Sequence, residues 1–70
     1  MDATETRHYR DDYGNSAMIT TDSYGITLVV NPGYCASIHH FTNINEAKRA
    51  MRTLTDTTWR EVNRECQYQY

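Results

Sequence analysis

The chain has 70 residues, of which 39% are hydrophobic and 23% charged, and its formal net charge is -2. This length excludes a second domain, and the composition excludes the charge-rich, apolar-poor class of disordered chains. The mild negative charge excludes a strongly acidic nucleic-acid mimic and a protein that binds nucleic acid with its whole surface.

Residues 1–15 are polar and lack hydrophobic periodicity, which predicts a flexible N-terminal arm followed by a single domain at 16–70. Tyr9 and Tyr13 are the large apolar side chains of the arm, and we expect its adjacent Asp11 and Asp12 to be solvated. The segment has no apolar run like that of a signal peptide, and no stretch of the chain is long enough to span a membrane. We therefore expect a soluble, cytoplasmic protein with no membrane contact.

The middle of the chain predicts a small antiparallel sheet of about three strands. AMITTD at 17–22 is typical of a short strand, and the DSYG that follows suits a turn. GITLVV at 25–30 alternates apolar positions and is rich in β-branched residues, so it is the strongest strand of the sequence. Pro32 and Gly33 then predict a type II turn, after which YCASIHHF at 34–41 returns as the third strand.

Alternation divides this third strand into two sets of side chains that point to opposite faces of the sheet. We expect a helix to cover the face of Ile38, and Cys35, Ser37 and His39 to line the uncovered face, where a partner would bind. The first set contains Tyr34, Ala36, Ile38 and His40, and the second contains Cys35, Ser37, His39 and Phe41.

A helix is predicted to begin after Asn43. Asn43 suits the N-cap, and Glu46 three positions later completes a capping box. One apolar stripe at helical spacing would lie on the sheet, while the basic side chains face water. The stripe contains Ile44, Ala47, Met51 and Leu54, and the basic set contains Lys48, Arg49 and Arg52. The fold class is therefore predicted to be α+β, with one main amphipathic helix packed on the sheet.

Residues 58–70 fit two structures. Trp59, Val62 and Cys66 stand at helical spacing, which predicts a short second helix. Val62 and Cys66 also share one parity with Tyr68 and Tyr70, which is typical of a strand, and like charges four residues apart disfavour the helix. We take the helix as the prediction and keep the strand as the alternative.

The predicted core contains Ile19, Ile26, Leu28, Val30, Ala36, Ile38, Ile44, Ala47, Met51 and Leu54.

Cys35, His39 and His40 are the side chains that most resemble a metal or nucleophile site. On a strand, however, the two histidines point to opposite faces, and Cys35 and His39 are about 13 Å apart at ~3.3 Å per residue. The three glycines are isolated, so the chain has no glycine-rich phosphate loop. We therefore predict no metal, cofactor or catalytic residue, no enzyme activity, and free thiols at Cys35 and Cys66.

Six tyrosines and one tryptophan in so short a chain indicate protein recognition, since these side chains are enriched at protein interfaces. The alternative is a small nucleic-acid-binding regulator that uses the basic helix face. A protein of this size is expected to be a monomer or a homodimer, because an edge strand of so small a sheet can pair with a second copy. The predicted partner-binding residues are Tyr9, Tyr13, Tyr24, His39, Lys48, Arg49 and Arg52.

The layout of residues 16 to about 66, an antiparallel hairpin and a capped amphipathic helix after a polar arm, resembles that of small phage-encoded proteins that disable host machinery. Anti-CRISPR proteins and phage inhibitors of host polymerase are examples. The resemblance rests on size and layout without a shared motif. It implies a stoichiometric inhibitor without a cofactor, which acts by occupying a surface of a larger enzyme or nucleoprotein complex.

Overall fold

The computed structural model describes residues 2–31, 36–55 and 57–69. This part of the chain forms a single antiparallel sheet of five strands, in the order β4-β3-β2-β1-β5, and one helix. The α+β prediction is therefore confirmed. The elements are β1 (Asp2–Arg10), β2 (Ser16–Asp22), β3 (Gly25–Val30), β4 (Ser37–Phe41), α1 (Ile44–Thr55) and β5 (Arg60–Gln69).

The predicted number of strands is wrong, because two further strands come from segments without a clear apolar pattern. The sequence places residues 1–15 in an arm, whereas Asp2–Arg10 forms β1, between β2 and β5. The preferred second helix is also wrong: Arg60–Gln69 forms β5, which was the alternative. The pairing of β1 with β5 contains a β-bulge, since His8 opposes Asn63 and Tyr9 opposes Glu61.

The hydrophobic core lies between α1 and the sheet. Ile19 and Leu28, which oppose each other on β2 and β3, are completely buried. α1 packs over β2, β3 and β4, so the sheet extends beyond it at β1 and β5. The buried core consists of Tyr9, Ala17, Ile19, Ile26, Leu28, Val30, Ala47 and Met51, with Phe41, Ile44, Ala50 and Trp59 partly buried around it.

The turn predicted between β2 and β3 is confirmed. Asp22 Oδ1 accepts hydrogen bonds from the backbone N–H groups of Tyr24 at 2.8 Å and Gly25 at 3.2 Å. Gly25 has φ +138°, and a Cβ atom there would lie 3.3 Å from the carbonyl oxygen of Phe41. The backbone conformation therefore favours glycine here, and β4 leaves little room for a side chain.

The expected orientation of β4 is wrong. Ile38 is 60% exposed and Ala36 is exposed, so neither belongs to the core. The reason is the pairing of β3 with β4: Leu28 opposes His39, and opposed residues of an antiparallel pair share a face. The odd-numbered residues of β4 therefore lie on the helix side. The predicted turn at Pro32 and Gly33, and Tyr34 and Cys35 after it, lie outside the described residues.

The N-terminus of α1 confirms the predicted cap. Asn43 Oδ1 accepts a hydrogen bond of 2.9 Å from the backbone N–H of Glu46, which satisfies one donor of the first helical turn. Ala47 and Met51 of the predicted apolar stripe are buried, but Leu54 is 55% exposed. Its assignment to the core is therefore wrong.

Candidate binding surfaces

The tyrosines and the histidine predicted to bind a partner do not form one surface. Tyr13 and Tyr24 are 80% and 97% exposed, and they lie in the turns at opposite ends of β2. Tyr9 is only 5% exposed and belongs to the core. His39 is partly buried on the helix side of β4, and its Nε2 is buried without a hydrogen-bond partner among the described residues.

The three basic residues predicted to bind a partner are all exposed on α1. Lys48 and Arg52, one helical turn apart, both line a groove of about 350 Å³ between α1 and β5, whereas Arg49 lies outside it. We call this cavity the helix-flank groove. Its other lining residues include Glu61 and Arg64 of β5, Trp59 before that strand, and the buried Tyr9 of β1.

The helix-flank groove has an excess of positive charge. Its lining contains three basic side chains and one carboxylate, Glu61. Arg64 Nη2 donates to both carboxylate oxygens of Glu61, at 3.0 and 3.1 Å, and Arg7 Nε lies 3.9 Å from Glu61 Oε1. Within the described part of the chain, Lys48 and Arg52 have no salt-bridge partner. The one carboxylate is thus already paired, and two cations are left facing the groove.

Tyr9 lines this groove, but its hydroxyl group is buried inside the protein. Tyr9 Oη is buried and has no hydrogen-bond partner among the described residues. Burial raises the pKa of the Tyr9 phenol, an effect that the nearby Arg7 partly offsets, so the group stays protonated. A buried hydroxyl without a partner is unfavourable, because it has lost its hydrogen bonds to water without replacing them.

A second groove, of about 380 Å³, lies near the other end of β1 and is lined in part by Ile44, Glu5, Arg7 and Cys66. Its charges are internally paired: Arg7 Nε donates to Glu5 Oε1 at 2.6 Å and holds the pKa of that carboxyl below its usual value. The Cys66 thiol is exposed and lies 3.9 Å from Glu5 Oε2. This arrangement leaves no charge unpaired for a ligand.

The sheet face opposite α1, which we call the open face, carries an apolar row. Met18, Val29 and Ile38 oppose one another across β2, β3 and β4, and His8 continues the row on β1. Met18 and Val29 are partly exposed, and Ile38 is the most exposed member. In the next row, threonines of β1, β2 and β3 stand side by side and end at His40, whose Nδ1 lies 3.3 Å from Thr27 Oγ1.

Asp11 has a structural environment that contradicts the expected solvation. It is only 5% exposed. Its carboxylate accepts hydrogen bonds from the backbone N–H of Tyr13 at 2.9 Å, from the backbone and side chain of Asn15 at 2.8 and 2.7 Å, and from Thr57 at 3.1 Å. Burial alone would raise the pKa of Asp11, but these hydrogen bonds outweigh it and the net pKa lies below the usual value. Asp11 therefore organises the β1–β2 turn and ties it to the segment before β5.

Sequence reasoning identified Lys48 and Arg52 but missed Trp59 and Arg64 as parts of the same groove. Arg64 reaches the groove because β5 pairs with β1, and Trp59 directly precedes β5. This pairing joins residues that are far apart in the chain, such as Glu5 and Cys66. No local periodicity reports such a pairing. The parity of Val62 and Cys66 was the one available signal for a strand in this segment.

No group of three or more metal-ligating side chains is found among the described residues, which exclude Cys35. No helix in the same part of the chain has the length and hydrophobicity to cross a membrane. Comparison of the sequence and the fold with protein families, curated proteins and solved structures finds no match.

Proposed function

We propose that this domain is a non-catalytic protein-binding module that uses the open face of its sheet. The apolar row on that face carries the proposal, because Ile38 is 60% exposed although it is a β-branched apolar residue in a strand. Apolar side chains grouped on a surface mark interaction sites more often than isolated ones do. The threonine row beside it offers hydrogen-bonding groups to the same partner.

The dimensions and polarity of the open face favour a different protein over a second copy of this chain. The five strands have 9, 7, 6, 5 and 10 residues, a mean of about seven, so at ~4.8 Å between strands and ~3.3 Å per residue the face measures roughly 24 by 24 Å. This area is smaller than the ~800 Å² that each partner contributes to a standard interface, and obligate dimer interfaces are larger and more apolar. A separable partner with a complementary apolar patch fits such a surface.

The inhibitory role in this proposal follows from the resemblance to small phage-encoded proteins. A compact domain that binds through one face acts stoichiometrically, by occupying a surface that a larger enzyme or nucleoprotein complex needs. Tyr13 and Tyr24, at opposite ends of β2, would extend the contact beyond the apolar row.

Two exposed aliphatic residues provide a matched test. Ile38 on the open face and Leu54 on α1 are 60% and 55% exposed, so Ile38→Glu and Leu54→Glu place the same charge at comparable exposure. A purified complex is first obtained by capture from a lysate of the source cell, and its affinity is then measured for each variant. We expect Ile38→Glu to weaken binding at least about tenfold, because a carboxylate would be buried without a partner, and Leu54→Glu to change it little.

Equal affinity of Ile38→Glu and the unmodified protein would refute the use of the open face. Sedimentation of the free protein tests whether a second copy of the chain binds the open face. Self-association that Ile38→Glu abolishes would show that the open face binds a second copy and not a different protein. Nucleic-acid binding at low salt that Arg49→Glu abolishes and Ile38→Glu leaves intact would instead support the regulator that uses the basic helix face.

A further inference from the structure

We propose that the outer edge of β5 pairs with β5 of a second copy of this chain, so that two sheets of five strands join into one antiparallel sheet of ten. The contact is separate from the open face, because it uses the backbone edge of the sheet and not the side chains of that face. The proposal rests on three features of β5: its unprotected edge, the regular stretch at 63–69, and the charges of that stretch.

β5 is an edge strand with little protection against pairing. It is the longest strand of the sheet, with 10 residues, and β1 is the one helix or strand that packs against it in the described part of the chain. Proteins protect edge strands by short length, proline, lysine, bulges or a covering element, because exposed N–H and C=O groups pair readily with another strand. β4, at the other edge, has only 5 residues. Residues 63–69 of β5 contain no proline, lysine or bulge, so this stretch is the edge open to a further strand.

The bulge leaves 63–69 as the regular part of β5, and this stretch determines the register. From Asn63 to Gln69, each residue opposes one residue of β1 without a shift. In a two-fold pair the strand runs antiparallel to its own copy, and every residue keeps its face of the sheet. Opposed residues of an antiparallel pair share a face, so the two-fold axis must pass through a residue that opposes itself. The register centred on Cys66, the midpoint of the stretch, pairs all of its residues, with Asn63 opposite Gln69 at both ends.

The same register avoids repulsion between like charges. Arg64 and Glu65 are the charged residues of the stretch, and residues 67–69 are uncharged in the sequence. With Cys66 at the centre, Arg64 and Glu65 would both oppose uncharged residues. A register centred on Arg64 or on Glu65 would instead place two guanidinium groups or two carboxylates directly opposite each other, which is destabilising. Charge and ladder geometry therefore agree on the register centred on Cys66, which favours a second copy of this chain over an unrelated strand.

The size of this contact determines its strength. The stretch 63–69 spans about 20 Å at ~3.4 Å per residue, and a sheet with its side chains is about 10 Å thick, so each copy contributes roughly 200 Å². This area is well below the ~800 Å² per partner of a standard interface. We therefore expect a weak, reversible dimer with a dissociation constant between about 10 µM and 1 mM.

Sedimentation equilibrium under reducing conditions, from about 10 µM to about 2 mM protein, measures this association. The mass should rise with concentration towards twice that of one chain. Cys66→Lys should raise the dissociation constant at least about tenfold, because it places two like charges opposite each other at the two-fold axis. Position 66 is exposed in the single chain, so the fold should be kept, and far-UV circular dichroism checks this.

His40→Lys is the matched control, because His40 is an exposed residue of β4, the strand at the other edge. It should leave the dimer unchanged, and so should Ile38→Glu on the open face. A protein that stays monomeric up to about 2 mM would overturn the proposal. A loss in His40→Lys as large as that in Cys66→Lys would overturn it in favour of general charge repulsion, and dissociation by Ile38→Glu would overturn it in favour of the open face.

Disulfide formation gives a second measurement, which tests the register. In a Cys35→Ser chain, the pairing places Cys66 opposite its own copy with Cβ atoms ~4.5–5.5 Å apart, close to the ~3.5–4.5 Å of a disulfide. Oxidised glutathione takes up the two electrons: two Cys66 thiols and one glutathione disulfide give one Cys66–Cys66 disulfide and two glutathione thiols.

The control for this reaction is a chain with Cys35→Ser, Cys66→Ser and Asn63→Cys. Asn63 is as exposed on β5 as Cys66, but two copies of position 63 would lie about 20 Å apart in the dimer at ~3.4 Å per residue. The chain that keeps Cys66 should therefore cross-link at least about tenfold faster at the same protein concentration. Equal rates in the two chains would overturn the pairing centred on Cys66.

Discussion

Replacing Ile19 by valine should destabilise the protein about three times more than the same replacement at Ile38. Both residues are in strands, both changes remove one methylene group, and both leave a β-branched residue, so strand propensity is unaffected. The two positions differ in burial: Ile19 is 0% exposed on the helix side, whereas Ile38 is 60% exposed on the open face.

The expected magnitudes follow from this difference. A fully buried methylene group contributes about 0.8 kcal/mol, and Ile→Val changes in cores cost about 0.5–1.5 kcal/mol once the cavity is included. At Ile38, where about 40% of the residue is covered (100% less the 60% exposed), the same group should contribute roughly 0.3 kcal/mol. A domain of this size loses about 4–8 °C of Tm per kcal/mol, which gives roughly 6 °C for Ile19→Val and 2 °C for Ile38→Val.

Urea denaturation followed by far-UV circular dichroism, together with thermal melts, measures both variants under one set of conditions. Ile19→Ala and Ile38→Ala extend the comparison, with about 2–5 kcal/mol expected at a buried site and about 1 kcal/mol at a half-covered one. Equal losses in the two valine variants, or a larger loss at Ile38, would refute the assignment of Ile38 to the open face. The valine pair remains measurable even if Ile19→Ala does not fold.

Two further changes test the turn and the helix cap. Because folding lowers the pKa of Asp11 below its usual 3.8, its carboxylate stabilises the protein above that pH, and this contribution is lost as the pH falls through the folded-state value. Asp11→Asn should therefore lower the urea midpoint at neutral pH and reduce its acid dependence, and an unchanged acid slope would contradict this role. Asn43→Ala should lower the unfolding free energy by about 1 kcal/mol, whereas Asn43→Asp keeps the acceptor and most of the stability; equal Tm values for the two would contradict the cap.

Local sequence patterns predicted the elements whose stabilising interactions are local. The turn between β2 and β3 follows from Asp22 and Gly25, and the start of α1 follows from Asn43. The alternation in GITLVV identified β3, since one of its faces is buried and the other is not. In each case the residues that determine the structure lie within a few positions of one another.

The edge beyond α1 could not be predicted in the same way. β1 and β5 have no helix over them, so apart from the buried Tyr9 their helix-side positions need not be apolar. Glu5, Arg7 and Arg64 occupy these positions. The stability of the two strands depends on backbone hydrogen bonds between segments at the two ends of the chain. A strand held in this way leaves little hydrophobic periodicity in the sequence.

The orientation of β4 was predictable in principle from the pairing rule. For any two-residue turn centred on Pro32 and Gly33, the even-numbered residues of β3 oppose odd-numbered residues of β4, which excludes Leu28 and Ile38 from sharing a face. The apolar character of Ile38 suggested burial and led to the wrong face. Its hydrophobicity therefore did not indicate a core position, and it is instead consistent with the interface that we propose for the open face.

Asp2 at the start of β1 pairs with Gln69 at the end of β5, so these two positions lie side by side at one end of the sheet. A short linker could therefore join them, and new ends could be opened between Ser23 and Tyr24, where both residues are exposed. In such a circular permutant β5 would precede β1 as a hairpin, so the contact with the largest sequence separation in the natural chain would become local. Since long-range pairing slows folding, the permutant should form its sheet faster than the original chain while keeping the open face unchanged.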